Sequence, residues 1–219
     1  MMRIIITHLV VMALLLFHSP SALAQGTIYV SNLGQPSVGN LPVGNDGWRA
    51  AVFMTGTNAA GYALNSIQLA LNGAAGNPAG FTVSIYTNIQ PVYAVFPSGQ
   101  LASLTGNSDP RNAGLYNYTA ASSIVLMPRE VYFMVVKTDT VIASGSYNWS
   151  VANANAYDVT GGWGRIGGVW TSANGSTWNS GSAIFPQYAI NATAIPEPTA
   201  LVLFGLSVAL LLTRRRVKP

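Results

Sequence analysis

Between Gln25 and Ala194 apolar residues recur at every second position in short runs, and no stretch sustains the period of a helix. Ile67, Leu69 and Leu71 alternate with Ser66, Gln68 and Ala70, and Phe81, Val83 and Ile85 alternate with Thr82 and Ser84. Successive side chains of an extended chain point to opposite faces, so each run buries one face and shows the other to water. Residues 131–136 are apolar at both parities, as suits a central strand covered on each side. Residues 48–55, 146–151 and 188–194 read as further strands. Gly, Asn, Ser and Thr interrupt the pattern roughly every ten residues, the spacing of short strands joined by turns. Residues 73–80 read as a Gly/Ala/Asn-rich hairpin loop, and residues 88–100, with Pro91 and Pro97, as a longer irregular link. Residues 107–114 contain the turn starter Asp109-Pro110. The pattern predicts an all-β fold, a two-sheet antiparallel β-sandwich of jelly-roll type with facing sheets about 10 Å apart.

Charge and residue usage narrow what such a domain can do. The net charge of +4 resides in the ends, which hold Arg3, Arg214, Arg215, Arg216 and Lys218. Between them, Arg49, Arg111, Arg129, Lys137 and Arg165 are balanced by Asp46, Asp109, Glu130, Asp139 and Asp158. With no basic face, nucleic acid is not an expected partner. The two histidines, His8 and His18, precede this region, and the chain has no cysteine. That excludes a Ser-His-Asp triad, a cysteine nucleophile and a His/Cys zinc site from it. Each carboxylate falls at a turn, a corner or a strand opening, where Asp and Glu are common without catalysis. No catalytic residue, cofactor or metal site is therefore expected. Asn107, Asp109 and Asn112 are the one loop set able to offer a calcium ion oxygens, without EF-hand spacing.

Aromatic residues supply a competing function. Tyr157, Trp163, Trp170 and Trp178 lie close together among glycines, and Asn153, Asn155 and Asn174 stand nearby. Rings on loops stack against the apolar face of a sugar while amides bond its hydroxyls. Tyr157, Trp163 and Trp170 are thus candidate glycan contacts. The opposing reading is that a cysteine-free sandwich fills its core with such rings, as expected of Trp149 in its apolar strand.

Both ends read as processing segments. Arg3, an apolar run from Ile4 to Phe17, Ser19-Pro20 and the small-x-small pair Ala22 and Ala24 make residues 1–24 a signal peptide cleaved after Ala24. Residues 25–194 form the β domain, and residues 195–219 a C-terminal segment. In it Pro196-Glu197-Pro198 precede an apolar helix over about 199–213 and then Arg214-Arg215-Arg216. That helix is short for a bilayer core of about 30 Å, and its arginine cluster is expected on the cytoplasmic side. Hydropathy alone leaves a permanent anchor and a removable signal both open.

The order Pro-Glu-Pro, apolar helix, arginine cluster resembles the PEP-CTERM sorting signal of Gram-negative bacteria. The resemblance implies export, transient residence in the inner membrane, processing by an exosortase-like membrane protease, and delivery to the cell surface or extracellular matrix beside exopolysaccharide. Residues 60–67 (AGYALNSI), 81–86 (FTVSIY), 114–119 (GLYNYT), 176–178 (STW) and 185–194 (FPQYAINATA) resemble, in that order, the choice-of-anchor R domain. That family implies a β-rich module beside an anchoring signal and brings no assigned activity. Residues 87–99 depart from it, lacking the small Gly-rich turn expected after the Phe81 strand.

Overall fold

A computed structural model describes residues 26–88, 96–153, 156–165, 168–181 and 184–197. The signal segment with Ala22 and Ala24, then Pro198, the apolar run and Arg214, Arg215 and Arg216 lie outside the described residues. Among the described residues there is no helix long and apolar enough to cross a membrane.

The described chain is all β. Its strands are β1 (Thr27–Ser31), β2 (Ser37–Val43), β3 (Trp48–Met54), β4 (Tyr62–Gly76), β5 (Thr82–Asn88), β6 (Pro97–Thr105), β7 (Ala113–Leu126), β8 (Val131–Lys137), β9 (Gly145–Ala152), β10 (Asp158–Val159), β11 (Val169–Ser172), β12 (Asn179–Ser180), β13 (Phe185–Pro186) and β14 (Tyr188–Ala194). Every pairing is antiparallel, and the main path runs β10-β1-β14-β4-β7-β6-β5-β8-β3-β11-β12. Instead of two separate sheets, hydrogen bonding is continuous and the sheet curls into a half-barrel.

The long strand β4 makes the curl possible. Its first part pairs with β14 up to Leu69, and from Leu71 it pairs with β9 instead. The register shifts between Leu71 and Ala74, where Gly73 has φ 90°. A bulge bends and twists a strand, and glycine takes that left-handed backbone without a Cβ penalty. Gly73 therefore bends a strand that runs on to Gly76, through residues that read as loop in the sequence. Likewise β6 begins at Pro97, within the expected irregular link.

Alternation then sorts the side chains. The concave face holds Ala51 and Phe53 of β3, Ile67, Leu69 and Leu71 of β4, Val83 and Ile85 of β5, and Met134 and Val136 of β8 in one core with Trp149 and Tyr188. Residues of opposite parity on β3, β5 and β8 form a second cluster on the outer face: Ala50, Val52, Tyr86, Phe133 and Val135. So β8 is buried on both sides, as its uninterrupted apolar sequence requires. Two buried bonds tie the interior together: Trp149 Nε1 donates to the carbonyl of Gln187 at 2.9 Å, and the amide of Tyr188 donates to Asn32 Oδ1 at 2.8 Å.

β1 and β14 are neighbours, with Thr27 opposite Ala192. The first and last residues of the β domain therefore leave the sheet at the same end.

Candidate functional site

The end of β14 leads straight into the Pro-Glu-Pro segment, and the body holds it. Beyond the last β14–β4 pair, Ala194 with Tyr62, the amide of Ile195 donates to the carbonyl of Gly61 at 3.0 Å. Asn58 Nδ2 donates one bond to that carbonyl and another to the carbonyl of Ile195, each 2.9 Å. The amide of Ala59 donates to Glu197 Oε1 at 2.9 Å. Pro196 and Glu197 are exposed, and Pro198 lies just outside the described residues.

The turn that makes these bonds is itself fixed. The amide of Asn58 donates to the Tyr62 hydroxyl at 3.1 Å, and the amide of Gly61 to the carbonyl of Asn58 at 2.9 Å. Gly61 has φ 81°, and a Cβ there would stand 2.7 Å from the carbonyl oxygen of Leu126. Only glycine closes this turn without strain.

Under the turn lies the aromatic cluster that contains Trp163. That ring stacks on Tyr29 at 4.8 Å and on Phe53 at 5.9 Å, and meets Tyr62 edge-on at 5.0 Å. At 4 % exposure it has no face to offer a ligand, which corrects its expected place on an open loop. Gly161 and Gly162, with φ 60° and 74°, turn the chain back, and Gly164 exchanges backbone bonds with Met54 at 3.0 and 2.8 Å. The glycine-rich stretch is pinned to the end of β3, and Trp163 points inward.

The other two candidate glycan contacts separate. Tyr157 donates its hydroxyl to the carbonyl of Pro186 at 3.1 Å, and the Arg165 guanidinium lies 4.9 Å over its ring. Burial pushes the Tyr157 phenol up to about 12. Tyr157 is thus also corrected from a free platform to a packed, capped ring. Trp170 lies on β11 rather than a loop, half-buried on the outer face and edge-on to Phe133 at 6.2 Å. Trp48 and Trp178 pack on the same outer cluster, 6.5 Å apart, with Lys137 Nζ 4.7 Å over the Trp48 ring. The structure therefore assembles Trp170 with Trp178 and with Trp48, whose membership the sequence did not reveal because it is remote in the chain. Asn174 spends its Oδ1 on the amides of Ser176 and Thr177, and Asn155 lies outside the described residues.

Asp109 and Asp46 perform local structural tasks. Asp109 accepts from the Tyr147 hydroxyl at 2.6 Å and from Arg111 Nε at 2.8 Å. Those bonds, Tyr147 first, hold its carboxyl below the usual range, and burial followed by Asp109 pushes the Tyr147 phenol up. Asn107 Oδ1 accepts from the amide of Asp109 at 2.8 Å, so this loop binds itself together. Asp46 Oδ1 accepts from the amide of Ile142 at 2.8 Å. Among the described residues no three of His, Cys, Asp and Glu gather in a metal-holding group.

Comparison with protein-family models, curated proteins and solved structures found no match to this chain.

Proposed function

We propose that this chain is an exported, non-catalytic protein of the cell envelope or extracellular matrix of a Gram-negative bacterium. Residues 1–24 direct export. The apolar run over about 199–213 holds the chain in the inner membrane, with Arg214, Arg215 and Arg216 on the cytoplasmic side. An exosortase-like protease reads Pro196, Glu197 and Pro198 and releases the sandwich-like β body. The observation that supports this reading is the direct passage from β14 into an exposed Pro196 and Glu197. The two prolines keep the backbone extended around the one charge. Intact-mass analysis of membrane and secreted fractions tests it. The wild type should yield a mature form lacking both ends, and Glu197→Ala should accumulate uncleaved at its C-terminus in the membrane. Normal processing of Glu197→Ala would sink the proposal.

A second reading, binding of exopolysaccharide, is favoured by the outer-face grouping of Trp48, Trp170 and Trp178. Their ring faces suit the apolar face of a sugar, the Trp48 and Trp178 N–H groups being held by the carbonyls of Asn45 and Gly175.

A further inference from the structure

We infer that the Asn58–Gly61 turn is a seat that ties down residues 195–197 and so slows processing at the Pro-Glu-Pro motif, with Asn58 as its positioning residue. The inference rests on the reading of Pro196–Pro198 as the processing motif and adds a control to it. Three bonds join the turn to the segment: Ile195 to Gly61, Asn58 to Ile195, and Ala59 to Glu197. The acceptor in the last is the carboxylate that a protease would have to read. While Glu197 is bound to the Ala59 amide, one of its oxygens is engaged and the backbone before Pro196 is still tied to β4. An extended substrate must be free along its edges to enter a protease cleft, because main-chain bonds supply much of the binding to such a segment. The seated form therefore resists cleavage, and the segment becomes a substrate only when it lifts from the turn.

The seat has the construction of a built element. Asn58 uses both N–H bonds of one carboxamide, one on its own turn and one on the segment, so turn geometry and docking depend on the same side chain. Tyr62, which receives the Asn58 amide, is itself packed edge-on against Tyr29 and Trp163. The seat is thereby mounted on the core and not on a wandering loop.

Asn58→Asp is the variant of choice. It keeps the Oδ1 acceptor that the amide of Ala60 uses at 3.4 Å. It removes both N–H donations and sets a negative charge beside Glu197. Asn179→Asp, on the exposed strand β12, makes the same change of charge away from the seat. Amide exchange of peptides covering residues 57–61 would be followed by mass spectrometry in the full chain held in detergent micelles. C-terminal processing would be timed in exporting cells.

Exchange over 57–61 should quicken several-fold in Asn58→Asp and Glu197→Ala, with β4 and the Asn179→Asp control unchanged. Asn58→Asp should also be processed several-fold faster than wild type. Equal exchange in wild type and Glu197→Ala would show that there is no seat. Faster exchange with processing at or below the wild-type rate would show that the seat does not mask, and would overturn the inference. Faster exchange in a chain that is never processed, even as wild type, would leave the seat standing and bring down the sorting reading instead.

Discussion

Trp163 and Trp170 are seven positions apart in a glycine-rich stretch and have opposite fates. Nothing in the local sequence separates them, since both follow a glycine or a glycine-flanked valine and neither stretch carries a period. What decides is the partner: Gly164 docks on Met54 and drives Trp163 into the core, whereas Trp170 sits opposite Ala50 on the outer face. Trp163→Ala should lower unfolding stability by about 3–5 kcal/mol in chemical denaturation. Trp170→Ala should cost far less, and it is the variant that should abolish any tryptophan fluorescence response to exopolysaccharide. A response that survives Trp170→Ala would remove the outer face from the sugar-binding reading. Trp149, in contrast, was legible as core, because it stands in a strand with clear apolar alternation. The partnership of Asn58 with the Pro-Glu-Pro segment was beyond sequence reading, since the residues are 137 positions apart and linked through single hydrogen bonds.

At the level of the strand, legibility followed contrast. β3, β4, β5, β8, β9 and β14 all announce themselves through aliphatic and aromatic repeats. β2 does not: Gly39 and Pro42 interrupt it. Its strand pairing goes to β9 alone, so a proline that cannot donate is tolerated there. β10 and β12 are two residues long, too short to leave a pattern, and they end the main path of the sheet. Short outer strands of this kind offer little template for pairing with another chain. The alternation itself can be tested on β4. Ile67 is fully buried and Ser66 points to the opposite face. Ile67→Ala should destabilise by about 2–5 kcal/mol, while Ser66→Ala should stay within about 0.5 kcal/mol in the same denaturation series. Equal effects would mean that the two faces are not distinguished as described.

For the whole molecule, the ionisable groups define a pH window. The described residues contain no histidine, the side chain whose ordinary pKa lies between about pH 5 and 8, so stability should be flat there. On the acid side, the depressed Asp109 contributes stability that is present above its unfolded pKa of about 3.9 and is lost as pH falls through its lower folded value. On the alkaline side, burial raises Tyr118, Tyr132, Tyr147, Tyr157 and Tyr188. Their contribution is whole below an unfolded pKa of about 10 and is lost as pH rises toward the folded values. Ionisation of these five phenols should therefore come late and steeply, together with the loss of β circular dichroism. Ionisation of these five near pH 10 in a still-folded protein would contradict the burial described.

The place of β14 between β1 and β4 also sets an order in time. The first strand of the body has no neighbour on that side until the last strand of the body arrives. A chain emerging from a ribosome or a translocation pore can form the β3–β8 and β5–β8 pairs early, but β1 must wait, unpaired on that side, until nearly all of the chain has passed. Closing contacts across such sequence separation is slow. The body is accordingly built to finish as a late event, with the arrival of β14 completing the sheet and bringing residues 195–197 to their turn in one step.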